Sequence, residues 1–259
     1  MKGKTKTKQQ LLLEMEELRT KLDATERHLQ EAKELLCAKI CIKTIKTGDS
    51  TMRQIWAATC LTIFLLLGLA NAADQTQKEE AANAKGKAEV LEEKASAEGS
   101  KSLPTADEII TKPQAQSVDP TGEEPLDDAI TCLARSIYWE ANRQDNAEME
   151  AIANVVMNRL GHKGFPNTIC GVVKQGHEQG ACQFSWWCDG RPDEAREDEP
   201  YSHAKEIARK ALNRQLQDRS DGALYFHNRK VTPNWSNEYI RTVEIGEHVF
   251  YKPAGGKAK

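Results

Sequence analysis

Nineteen consecutive residues without a charge, IWAATCLTIFLLLGLANAA at 55–73, constrain this 259-residue chain more than any other stretch. As a helix the run would reach about 28 Å, close to the ~30 Å of bilayer hydrocarbon. Lys43, Lys46 and Arg53 precede it, and Asp74, Glu79 and Glu80 follow. Basic flanks stay on the cytoplasmic side, so the C-terminal part is expected to face out. A second reading starts at Met52. From there the chain has a basic start, an apolar run and Ala70-Asn71-Ala72, a small-residue cleavage site. Residues 52–73 are therefore expected to be a transmembrane anchor or, with translation from Met52, a signal peptide. The C-terminal part would sit in the periplasm on an inner-membrane anchor, or be secreted there after cleavage.

Before the run, Leu11, Met15, Leu18, Leu22, Thr25, Leu29, Ala32 and Leu36 alternate steps of four and three. This is an a/d seam over residues 8–36. It predicts a cytoplasmic coiled-coil-like helix within 1–51, either self-associating or packed on another element. After the run, residues 74–125 are rich in Ala, Glu, Lys, Gln, Ser and Pro, with 12 acidic and 6 basic side chains and almost no large apolar residue. That composition predicts a disordered linker, with transient helix near 78–96. Four of the five tryptophans fall after residue 125. The ordered domain is thus expected at 126–253, with a tail at 254–259. The net charge of −3 gives no ground for a nucleic-acid partner.

Within that domain Ile130, Leu133, Ala134, Ile137, Tyr138 and Ala141 recur at helical spacing, as do Met149, Ile152, Ala153, Val156, Met157 and Leu160. Asp145 and Glu148 have the spacing of a capping box for the second helix. A third helix is expected over 202–217. GALYFHN and RTVEIGEHVFY have the β-branched and aromatic content of strands. The reading is α+β, mainly helical with a few short strands. At 100° per residue Glu140 falls about 60° from Ile137, on the flank of the apolar face. A carboxyl group placed there is partly desolvated, which raises its pKa toward what a general acid needs. The alternative is a solvated surface charge.

Between the second and third helices lies a long irregular stretch rich in Gly, Cys and Trp, and such loops are usually functional. In GACQFSWWCDG, at 180–190, Phe184, Trp186 and Trp187 crowd beside Gln183 and Ser185. Aromatic faces with amide and hydroxyl groups suit sugar rings; the alternative is a core role for the tryptophans. Cys182 and Cys188 flank the segment and can close it as a small loop. The six histidines form neither HExxH nor HxxEH, and there is no CxxC, so no metal or other cofactor is expected.

LARSIYWEAN, AIANVVMNRL, FPNTICGVV, CQFSWWCDG and IGEHVFY, in this order, resemble the cell wall hydrolase family named for the spore-cortex lytic enzyme SleB. The resemblance covers about 128–252. It implies a small lysozyme-like, transglycosylase-like fold that cuts the glycan strands of peptidoglycan, with one glutamate as catalytic acid/base. That glutamate corresponds to Glu140. Many relatives carry Arg and Gly where this chain has Asn142 and Arg143. The expectation is a lytic transglycosylase cleaving after N-acetylmuramic acid and leaving 1,6-anhydro ends. The alternatives are a hydrolytic muramidase, an amidase, or an inactive wall-binding scaffold. Tyr138, Gln183, Ser185, Trp186 and His227 are the expected substrate contacts. A Cys182–Cys188 disulfide is expected in an exported domain, with Cys132–Cys170 following by elimination.

Overall fold

A computed structural model of the chain describes residues 50–97, 102–141, 145–180, 182–196 and 198–255, with isolated positions between 21 and 39. Side chains of 50–72 and of residue 179 are outside the description. The chain divides into two compact units, Met1–Ala73 and Asp74–Lys259. The heptad of residues 8–36 lies, apart from isolated positions, outside the described residues. So do the side chains of the uncharged run up to residue 72. Among the described residues no helix is long and apolar enough to cross a membrane.

The elements in order are α1 (Ser50–Ser96), α2 (Lys112–Ser117), α3 (Ala129–Glu140), α4 (Asn146–Leu160), α5 (Ile169–Val173), α6 (Glu199–Leu212), β1 (Tyr225–Asn228), β2 (Tyr239–Ile245) and β3 (His248–Pro253). Helix α3 is the centre of the second unit. Every residue from Ala129 to Tyr138 is buried, because α4, α5 and α6 all pack against it. A helix so covered holds most of its polar groups in bonds, the buried Ser136 hydroxyl being an exception. Asp128 caps its start, accepting from the Thr131 N–H at 2.8 Å and from the Thr131 hydroxyl. Cys132 of α3 is bonded to Cys170 of α5.

The three strands form an antiparallel sheet in the order β1-β3-β2. RTVEIGEHVFY, expected as one strand, is a hairpin. The chain turns at Gly246, whose φ of 57° is left-handed, and β2 returns as β3. The third helix starts at Glu199 and ends at Leu212, five residues before the expected end.

Residues 74–125 overturn the linker expectation. Ala81, Ala84, Ala88, Leu91 and Ala95 of α1 are spaced by three and four, and the middle three are buried in the core. Alanine removes little apolar area per residue, but it lets a helix approach closely and interdigitate at interior density. The Cβ that Gly161 lacks would lie 3.4 Å from the Ala95 carbonyl oxygen. Lys85 pairs with Glu124 and Asp128, and Lys94 with Glu108. Further along, Ile110, Ala115 and Val118 enter the core. The Asn213 side-chain amide bonds both backbone groups of Ile110, at 3.0 and 2.8 Å. Asp119, fully buried, accepts from Arg135 Nη2 at 2.8 Å, from Tyr201 Oη at 2.5 Å and from the Glu124 N–H at 2.9 Å. The ordered fold therefore begins about fifty residues before the expected boundary at 126. Its anchors are small residues and polar bonds, which a count of large apolar side chains does not register.

Candidate functional site

Glu140 is the last residue of α3, where the helix runs out from under its neighbours. The side chain is half-buried as a residue, but its Oε1 is shielded from solvent and has no hydrogen-bond partner. Burial pushes the Glu140 carboxyl up from 4.5 to about 7. Three influences oppose the shift: the charge of His248, a hydrogen bond from the Ser185 backbone N–H, and the charge of Arg159. The group therefore holds its proton in the neutral range while remaining able to give it up.

The Ser185 N–H is delivered by the irregular loop between α5 and α6. Left-handed Gly176 and Gly180, at φ 92° and 65°, bracket a short 3-10 turn. The Gln183 N–H then bonds the Gln175 carbonyl at 3.0 Å. From 183 to 186 the side chains alternate: Gln183 and Ser185 are exposed, Phe184 and Trp186 buried. Cys182 is bonded to Cys188 across this turn. Behind it the loop is held by the rest of the fold. The Asp193 carbonyl accepts from Arg135 at 3.4 Å and from Trp139 at 3.3 Å, and the Ala195 N–H bonds the Gly122 carbonyl at 2.9 Å.

A groove of about 360 Å³ is lined by Arg159, Cys182, Gln183, His227, Trp235 and Tyr239, among others. Its aromatic wall is built on the sheet. Tyr225 of β1 stacks on Tyr239 of β2 at 4.7 Å between ring centroids, and Trp235 lies 5.8 Å from Tyr225 and 5.6 Å from His227. His227 also stacks on Tyr251, whose hydroxyl is 3.1 Å from its Nε2. Amphipathic rings of this kind pack well against the faces of sugars while their polar edges stay bonded.

Arg159 closes the inner end of the groove. It is 2% exposed, donates from Nε to the Leu224 carbonyl at 2.7 Å, and reaches Gln183 Oε1 from Nη2 at 3.3 Å. Its guanidinium lies over Phe165, Phe184 and Tyr225 at 5.2, 5.3 and 5.7 Å. Nη1 is buried without a partner. Burial lowers its pKa to about 10, opposed by Tyr225 and Glu140. Its spacing carried a signal that reading the sequence missed. Position 159 is seven residues from Ile152 and three from Val156, on the apolar stripe of α4, and a charge there is rarely solvent-facing.

Of the expected contacts, Gln183 and His227 line the groove, and Ser185 meets Glu140 through its backbone. Tyr138 does not belong to the groove. It is 1% exposed and packed edge-on against Trp139 and Tyr201, because α3 is covered on every side. Trp186 is 6% exposed and turned into the core by the alternation along the loop. The capping box also fails. Asp145 caps α4 through the Ala147 N–H, whereas Glu148 is 3% exposed and accepts from His248 Nδ1 and from the Glu247 N–H, both at 2.7 Å. Among the described residues no group of three His, Cys, Asp or Glu side chains is placed to hold a metal ion. A larger cleft, about 560 Å³, lies between α2 and α6 and contains none of the expected site residues.

Comparison with known proteins places these elements. Residues 143–251 match the family model described as Cell Wall Hydrolase; the match begins three residues after Glu140. A spore cortex-lytic enzyme of Halalkalibacterium halodurans is 30% identical over 129 residues, 48% of this chain and 34% of that protein. That of Bacillus subtilis is 30% identical over 126 residues, 47% of this chain and 36% of that protein. The chain thus spans about a third of the length of these curated relatives. The crystal structure of the catalytic domain of the Bacillus cereus SleB protein aligns at 28% identity and a TM-score of 0.40, over 48% of this chain and 89% of that one. The residues that build the groove, from Arg159 on α4 to Tyr239 on β2, lie inside the matched range, and over that range the chain is similar to SleB-like cell wall hydrolases.

Proposed function

We propose that this protein is a lysozyme-like enzyme that cuts the glycan strands of peptidoglycan as a lytic transglycosylase, with Glu140 as its acid and base. The observation that carries the reading is the Glu140 carboxyl itself: desolvated, unpartnered at Oε1 and titrating at about 7. In the step proposed, protonated Glu140 donates to the glycosidic oxygen beyond N-acetylmuramic acid, and the C1–O bond breaks. The carboxylate then takes the proton of the same sugar's 6-hydroxyl. That oxygen bonds to C1 and closes a 1,6-anhydro ring. Atoms balance without water, so a second carboxylate is not required, unlike hydrolysis, which usually uses two.

The surroundings of Glu140 support the single-carboxylate reading. Its resolved electrostatic neighbours are Arg159 and His248, both cationic when charged. The buried carboxylate of Glu148 already accepts two hydrogen bonds and is not available as a nucleophile. Arg159, held out of ion-pair contact, would stabilise the carboxylate left after proton donation. The aromatic wall suits the strand of sugars. Basic residues ahead of the uncharged run, and two disulfides in the C-terminal unit, support placing residues 74–259 outside the cytoplasm, tethered or released.

The test is mass spectrometry of fragments released from purified peptidoglycan by the full chain. Fragments ending in 1,6-anhydromuramic acid are expected. Reducing ends would mean hydrolysis, and released stem peptides an amidase. Glu140→Gln should lower the rate ~10²–10⁴-fold, and full activity in that variant would overturn the assignment.

A further inference from the structure

The proposed reaction uses the charge of Arg159 at a distance and leaves its terminal donors idle. Helix α4 carries the side chain to the groove, where the fold fixes it. Its guanidinium carbon lies over the rings of Phe165, Phe184 and Tyr225, and the Leu224 carbonyl takes the Nε–H at 2.7 Å. The two terminal nitrogens make one bond between them, from Nη2 to Gln183 Oε1 at 3.3 Å, and the buried Nη1 has no partner. No described residue lining the groove is acidic, and Glu140 acts on Arg159 only through space. A buried cation with no anion in contact is costly to keep. The planar end of the guanidinium, Nη1 with Nη2, matches the two oxygens of a carboxylate.

We propose that the Arg159 fork, with Gln183 as its displaceable cover, is a specificity site for the free lactyl carboxylate of an N-acetylmuramic acid that has lost its stem peptide. The inference rests on reading the groove as the seat of peptidoglycan strands. On a strand that keeps its peptides the lactyl group is a neutral amide, and the acetamido groups are neutral too. Their carbonyls can accept a hydrogen bond but leave the buried charge uncompensated. A carboxylate satisfies the terminal nitrogens and supplies the missing anion together. Gln183 is the side chain that gives way. It is exposed on the irregular loop, and one long bond from a neutral oxygen ties it to the guanidinium. The site also orders two reactions. Water must first break the amide between the lactyl group and the first amino acid, leaving the carboxylate on the sugar and the amine on the released peptide. An amidase of that class supplies the strand that this groove prefers.

The experiment is calorimetric binding to the full chain carrying Glu140→Gln, so that the ligand is not cut. Three ligands are compared: glycan strands with their stem peptides, strands freed of them by an amidase, and the freed strands with their carboxylates converted to methyl esters. The freed strands should bind at least about tenfold more tightly than either of the others, the scale of one charged hydrogen bond. Equal binding of ester and free acid overturns the proposal, because the ester keeps the carbonyl and loses only the charge. Gln183→Glu, at an exposed position, sets a carboxylate of the chain's own against the fork and should erase the preference. A preference that survives this change also overturns the proposal. Arg159→Gln should erase it as well; if that variant does not fold, Gln183→Glu decides. If Glu140→Gln still cuts, the acid is misassigned, and the preference is read from kcat/KM on the same three strands. Cleavage of glycan with no preference among them means that only the carboxylate site fails. Failure to bind any strand overturns both readings.

Discussion

A carboxyl group that must carry a proton at neutral pH strains the protein that buries it. Glu140 titrates at about 7 in the fold against 4.5 ordinarily, so the folded state holds the proton more tightly than the unfolded chain. Its contribution to stability is intact below about pH 4.5 and is lost as the pH rises through 7. The 2.5-unit difference corresponds to a loss of about 3 kcal/mol at pH 8. Glu140→Gln removes the titration. We therefore expect thermal unfolding of the variant to match the unmutated chain at pH 4 and to occur at a clearly higher temperature at pH 8. Equal melting temperatures at both values would mean that Glu140 is solvated. At this scale the sequence was readable where one residue's own periodicity held the information. The flank position of Glu140 followed from counting along one helix. Arg159 lay on a visible stripe but was passed over. The Glu148–His248 bond joins residues a hundred positions apart, and the local spacing of Glu148 suggested a capping role instead.

Helices α3, α4 and α6 were legible because their apolar residues are large and periodic. The hairpin was not, because Gly246-Glu247 interrupts a β-rich run that looks continuous. Helix α1 was hidden for a different reason. An alanine stripe among Glu and Lys has the composition of a solvated tether, and the burial of Ala84, Ala88 and Leu91 depends on residues distant in sequence. Residues 74–125 supply Ala84, Ala88, Leu91, Ile110, Ala115 and Val118 to the core, and Asp119 to the buried bonds of Arg135 and Tyr201. A chain beginning at 126 leaves the Arg135 guanidinium buried without its carboxylate, which alone costs about 3–5 kcal/mol. That truncation is expected to lose cooperative unfolding and amide-exchange protection in α3. One beginning at 74 should keep both. Native-like protection in the shorter chain would mean that residues 74–125 are dispensable decoration.

For the molecule as a whole, the second compact unit begins at Asp74, two residues after the small-residue motif Ala70-Asn71-Ala72. Within it the helical layer and the sheet meet at one crowded point. Gly246 has a φ of 57°, and a Cβ there would lie 2.5 Å from the Glu148 carboxyl carbon. Gly246→Ala is expected to destabilise by well over the ~1 kcal/mol of a left-handed alanine, because the buried carboxylate must also give way. In a Glu148→Ala background only the backbone part should remain, and denaturant unfolding of the four chains would measure the difference. Additive effects would mean that the close approach carries no energy. The wider consequence is one of inheritance. Positions 148 and 246 cannot drift independently: a lineage that keeps the glutamate is restricted to one amino acid at the turn, and a lineage that loses it is released from that restriction. Two sites ninety-eight residues apart would then change together or not at all.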